Sequence, residues 1–139
     1  MFIDASAIVA ILNRESGYEQ FVSRIEGAST PLYTSPLSRF EAAVSLARQR
    51  TSMNRKPSSD FVNECAQLVD DFLNEIGTKD IHISSAIGNG ALKAAATFGK
   101  AVGHEADLNF GDCFSYACAK AYRLKLMYKG NDFVKTDLA

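Results

Sequence analysis

Four acidic side chains stand where carboxylates can do chemistry: Asp4, Glu41, Asp112 and Asp132. Asp4 directly follows an apolar N-terminal run, and Asp132 closes the Gly-Asn-Asp turn after the apolar residues of "KLMYKGNDF". Asp112 comes three residues after Asn109 in "NFGDCF", inside the first turn of the helix that this asparagine can cap. Glu41 sits within "SPLSRFEAAVSLARQR" (residues 35–50), on the edge of an apolar stripe formed by Leu37, Phe40, Val44 and Ala47. A carboxylate on a packing edge must be neutralised by something. Two carboxylates about 6 Å apart repel by roughly 3 kcal/mol at an effective dielectric of about 20. Four converging acids therefore require protons, a basic partner or a divalent cation. An oxygen-only donor set suits Mg²⁺ or Mn²⁺ better than zinc.

Each acid also has a plainer role open to it. Asp4 can cap the helix that begins at Ala5, and Ser6 can do the same. Asp112 stands at capping-box spacing from Asn109, and its charge suits the helix N-terminus. Asp132 can stabilise a turn, and Glu41 can reach off its apolar edge to solvent. Taken singly the plainer roles carry more weight, and the four together shift the balance.

The elements that must position these residues follow from hydrophobic period and punctuation. Residues 1–4 read as a buried strand, 6–12 and 18–25 as helices, and 31–36 as an extended piece bounded by prolines. Pro36 opens the helix that carries Glu41. Residues 51–60 form a polar, partly basic turn, and Ser58 or Ser59 caps a helix over residues 60–76. "DIHISS" alternates as a strand through Ile81 and Ile83. An alanine-rich helix follows over residues 84–98, interrupted by the Gly-Asn-Gly of residues 88–90. Asn109 caps the last long helix, and residues 126–129 form the last strand. The order β-α-α-β-α-α-β-α-α-β predicts a parallel sheet with helices on both faces. In such sheets ligands bind beyond the carboxyl ends of the strands, the rim on which Asp4 and Asp132 fall.

The bulk properties bound the function classes. With 139 residues, 47% hydrophobic and 22% charged, the chain is expected to be one globular domain spanning residues 1–139. A net charge of −1 excludes a broadly basic nucleic-acid-coating protein but leaves room for a local basic patch. Cys65, Cys113 and Cys118 form no CxxC pair and read as reduced thiols. The apolar start contains Asp4, lacks a basic leader and is too short to cross a bilayer. A cytoplasmic protein with no membrane association is expected. His82, His104, Asp107, Tyr116 and Tyr122 read as packed or solvated residues, and the Gly-Asn-Gly segment lacks the spacing and lysine of a phosphate-binding loop.

Together "MFIDASAIVAIL", "RFEAAVSLARQR", "LNFGDCFSYACAKA" and "LMYKGNDFVKTDL" resemble the VapC family, the PIN-domain toxins of bacterial VapBC toxin–antitoxin systems. The likeness runs over nearly the whole chain, and the family's acids map onto Asp4, Glu41, Asp112 and Asp132. It implies a PIN-like α/β/α domain with a central parallel sheet, and a Mg²⁺- or Mn²⁺-dependent endoribonuclease. In that reading Asp4 and Asp112 ligate metal directly, Glu41 and Asp132 complete the site, and Ser6 is a supporting or substrate-contacting residue. Arg48, Arg50, Arg55, Lys56 and Lys129 are candidates for contacts to the RNA backbone. The resemblance further implies a VapB-type antitoxin partner, a toxin homodimer and toxin–antitoxin hetero-oligomers. Two other readings compete. One is a catalytically silent module whose acids recognise a basic peptide. The other is a phosphoryl-transfer domain with an aspartyl nucleophile, which is weakened because Asp4 is not followed two residues on by a second acid.

Overall fold

The computed structural model describes residues 1–138. Its strands are short: β1 (Phe2–Ile3), β2 (Tyr33–Thr34), β3 (Lys79–Asp80) and β4 (Leu126–Met127). All pair in parallel, in the order β3-β2-β1-β4, with Phe2 opposite Leu126 and Ile3 opposite Met127. Alternation along a strand sends successive side chains to opposite faces. Phe2 and Leu126 accordingly join one apolar cluster, and Ile3 and Met127 join the other. The sheet is thus the middle of three layers.

On the Ile3 face pack α1 (Ala5–Leu12), α2 (Tyr18–Glu26), α3 (Pro36–Gln49) and α4 (Ser59–Glu75). On the Phe2 face pack α5 (Ser85–Phe98) and α6 (Phe110–Ala121). Serine oxygens accept from the backbone at the starts of α3, α4 and α5, through Ser35, Ser58 and Ser84. Each satisfies an N–H that the first helical turn leaves unpaired.

Four local expectations differ from what is observed. The buried face of α3 is Ser38, Ala42, Ala43, Leu46 and Ala47, while Phe40 is 68% exposed. Small residues let α3 lie close to its neighbours, so the wider Leu37–Phe40–Val44 edge is displaced outward. Helix α5 runs uninterrupted through Gly88 and Gly90. A Cβ on Gly90 would lie 3.3 Å from Ala117 Cβ, so that glycine serves the close approach of α5 and α6 rather than a break. The third strand ends at Asp80, before Ile81 and Ile83. Ile81 is buried, and the chain then turns to the Ser84 cap. The last strand stops at Met127, two residues short of Lys129.

Candidate active site

Strand β1 is the point at which chain order reverses: β2 and β3 extend to one side and β4 is added on the other. Crevices at such switch points are where parallel α/β sheets bind ligands. Here a cavity of about 260 Å³ opens at the strand ends, and its lining includes Asp4, Glu41, Asp112 and Asp132 together with Ser6 and Glu15. The structure therefore brings together all four acids expected from the sequence. Asp4 follows β1, Glu41 lies in the second turn of α3, Asp112 lies in the first turn of α6, and Asp132 comes from the turn after β4.

The plainer capping roles are also real. Asp4 is the N-cap of α1, where its Oδ2 accepts from the Ser6 backbone N–H at 2.9 Å and from the Ser6 hydroxyl at 2.5 Å. Its Oδ1 accepts from the Ser115 hydroxyl at 2.6 Å. Asp112 and Asn109 form a reciprocal capping box, with Asn109 N–H donating to Asp112 Oδ2 at 2.8 Å and Asp112 N–H donating to Asn109 Oδ1 at 3.0 Å. Capping and pocket lining are the same geometry used twice. A carboxylate that closes the first turn of a helix at a strand rim is held rigidly and still presents free lone pairs to the crevice.

Asp4 and Asp112 are 3% and 7% exposed, Glu41 is half-buried and Asp132 is exposed. Burial raises the Glu41 pKa to about 7, with the Asp4 and Asp112 charges adding to the effect. Burial also raises Asp112 to about 6, against the lowering effect of the Asn109 N–H and with further help from Asp4, Asp132 and Asp107. Two carboxyl groups thus hold protons far above their ordinary range because negative charge is crowded and poorly solvated. Gly111 allows this crowding: a Cβ there would lie 2.0 Å from Glu41 Oε2.

The donor set tests well against a hard divalent cation. Every acidic lining group offers oxygen, no histidine or cysteine lines the cavity, and the raised pKa values mark a deficit of positive charge. Among the described residues no three such side chains are gathered tightly enough to form a ready-made ligand group. The acids surround the cavity instead of meeting at a point, as mutually repelling carboxylates do.

Several other residues fall differently from expectation. Lys129 lines the cavity but is ion-paired with Glu15, a fifth acid that the sequence reading did not single out. Arg50 donates to Asn13 Oδ1 and to the Leu12 carbonyl, which makes it a brace between α1 and α3. Arg48, Arg55 and Lys56 line a neighbouring groove that shares Gln49 with the acidic cavity. Ser115 was also missed; its signal was its spacing, one helical turn beyond Asp112 on the same face. Asp107 is exposed, in a left-handed turn residue with φ 51°, and His82 is exposed.

Comparison with known proteins agrees with this architecture. The family model described as PIN domain matches residues 1–138. A VapC ribonuclease of Rhizobium meliloti is 47% identical over 139 residues, covering 99% of this chain and 98% of that protein. Ribonuclease VapC28 of Mycobacterium tuberculosis is 32% identical, covering 98% of this chain and 93% of that protein. Among solved structures, the chain resembles Mycobacterium tuberculosis VapC20, described as a toxin cleaving the sarcin-ricin loop. The TM-score is 0.70 and the identity 15%, covering 96% of this chain and 92% of that one. At that identity the likeness concerns the fold.

Proposed function

The chain belongs to the PIN-domain family and, within it, to the VapC ribonucleases, and from that premise we propose a Mg²⁺- or Mn²⁺-dependent endoribonuclease acting as the toxin of a VapBC-type pair. The observation that carries this reading is the convergence of Asp4, Glu41, Asp112 and Asp132 on one cavity at the switch point of the sheet.

Asp4 and Asp112 would hold the cation, being the most deeply set and the most firmly braced of the four. Glu41 and Asp132 complete the charge balance from the opposite helix and the last turn. When bound, the cation neutralises the acids, polarises the phosphodiester and acidifies an attacking water. Glu41, with a pKa of about 7 in the cation-free chain, is near half-protonated at neutral pH. With positive charge held nearby, the Glu41 carboxylate would be ionised and free to accept a proton. Ser6 ties the segment after β4 to the site, because its hydroxyl donates to Asp4 while accepting from the Lys129 backbone N–H at 3.0 Å.

An acidic cavity repels RNA, so the backbone must be held by cations nearby. Arg48, Arg55 and Lys56, in the groove joined to the cavity at Gln49, supply that attraction for the strand on one side of the scissile bond. The antitoxin is a VapB-type protein, and a toxin homodimer assembles with it into a hetero-oligomer in the cytoplasm. No helix among the described residues is long and apolar enough to cross a membrane.

The test compares wild type with Asp4→Asn on total cellular RNA, each with Mg²⁺ and with chelator. Cleavage is expected only from wild type with metal. Equal cleavage by both proteins, or cleavage that survives chelation, removes the assignment.

A further inference from the structure

Behind the acids, a line of buried hydroxyls crosses from α3 to α6. Ser35, the N-cap of α3, is 0% exposed, and Ser38 and Ser115 are each 2% exposed. Ser35 Oγ lies 3.1 Å from Ser38 Oγ, Ser38 Oγ lies 3.5 Å from Ser115 Oγ, and the Ser115 hydroxyl donates to Asp4 Oδ1 at 2.6 Å. Ser35 is accounted for as the cap of α3, but Ser38 and Ser115, buried within helices, need a reason, because alanine would fill much the same space without a polar atom to satisfy.

The reason lies in the lone pairs of Asp4. An ionised carboxylate offers about four acceptor sites. The Ser6 N–H and hydroxyl take both sites on Oδ2, and Ser115 takes one of the two on Oδ1. One acceptor site is left, and the Ser115 donor determines where it can lie. Ser115 stands one turn beyond Asp112 on α6, so the same helix face supplies one acid and the donor that orients the other. The order of protons is set at this end of the line. The Ser115 hydroxyl donates to Asp4, so the Ser115 lone pairs face Ser38.

We infer that Ser115 is a positioning residue, holding Asp4 so that its single free acceptor site is presented to the cavity beside Asp112. This rests on the metal-dependent nuclease reading for the identity of the group Asp4 is positioned to meet. Ser38 supports Ser115 from behind and Ser35 supports Ser38. Partners that orient ligating groups are typically worth 10- to 100-fold in metal affinity or activity.

The experiment measures Mn²⁺ binding by titration calorimetry alongside RNA-cleavage kinetics, for wild type, Ser115→Ala and Ser38→Ala. Ser115→Ala is expected to bind Mn²⁺ about 10- to 100-fold more weakly and to lose kcat by a similar factor, with KM for RNA changed by less than about twofold. Raised Mn²⁺ should recover part of the rate. Ser38→Ala, one link further away, is expected to lose about two- to fivefold. Should Ser115→Ala fail to fold, Ser115→Cys keeps the shape with a much weaker donor and carries the same expectation. A folded Ser115→Ala or Ser115→Cys with wild-type Mn²⁺ affinity and kcat overturns the inference while leaving the nuclease reading intact. Weakened Mn²⁺ binding in a protein whose wild type cleaves no RNA does the reverse. A wild type that neither binds Mn²⁺ nor cleaves RNA overturns both.

Discussion

Replacing Glu41 by glutamine removes a charge that the folded, cation-free chain accommodates only with strain. The Glu41 pKa rises from its ordinary 4.5 to about 7. At about 1.36 kcal/mol per unit this is at most about 3 kcal/mol of destabilisation at high pH. The side chain is only half-buried, and solvent screening reduces the figure to about 1–2 kcal/mol. Because the folded pKa lies above the unfolded one, the native state holds the proton more tightly. Its stabilising contribution is complete below about pH 4.5 and disappears as pH rises through about 7. Asp112, raised from 3.8 to about 6, acts with the same sign over a slightly lower range. In chelator at pH 8, Glu41→Gln should therefore melt about 3–7 °C above wild type, taking an unfolding entropy of roughly 2.1 cal/mol/K per residue. At pH 4.5 the two curves should converge. Saturating Mn²⁺ should reverse the order at pH 8, because a ligand that binds the native state stabilises it by mass action and the variant has lost one of its oxygens. Thermal melts monitored by circular dichroism at the two pH values, with chelator and with Mn²⁺, test each part. Equal melting temperatures at pH 8 in chelator would refute the charge-crowding account.

Two further outcomes follow from the same geometry. Gly111→Ala places a methyl group where Glu41 Oε2 now lies; the flexible Glu41 side chain gives way and α6 gains helix propensity. Cleavage should fall about 10- to 100-fold by kinetic assay while stability holds or rises by up to about 1 kcal/mol, and wild-type turnover would show that Glu41 tolerates displacement. Replacing Arg48, Arg55 and Lys56 together by alanine should lower the slope of log KM against log salt by about 2, at roughly 0.7 per phosphate contact on a single strand. An unchanged slope would place the RNA elsewhere.

The exposed or buried fate of single side chains was decided by packing that no local pattern encodes. Phe40 illustrates this: by helical period it belongs to the inward stripe, yet it is largely exposed because alanines and Ser38 bring α3 close to its neighbours. Gly88 and Gly90 carry the local signature of a break, yet α5 runs through both, and Gly90 lies close against Ala117 of α6. Lys129 looks like an RNA contact in one dimension and meets Glu15, more than a hundred residues away in the chain, in three.

What the amino-acid sequence determined on its own were features set by short-range physics. Strand and helix order follow from hydrophobic period and caps, and the rim placement of Asp4 and Asp132 follows from their positions just after apolar strands. The capping roles of Asp4, Asn109 and Asp112 are local as well, because each spans no more than one helical turn. Only the tertiary structure decided how closely the acids crowd, which pKa values rise and which buried hydroxyl orients Asp4. Those properties depend on contacts such as Ser115 to Asp4 and Gly111 to Glu41, made by residues far apart along the chain. Electrostatic energy and desolvation depend on distances in space, and spacing along a polypeptide does not specify them.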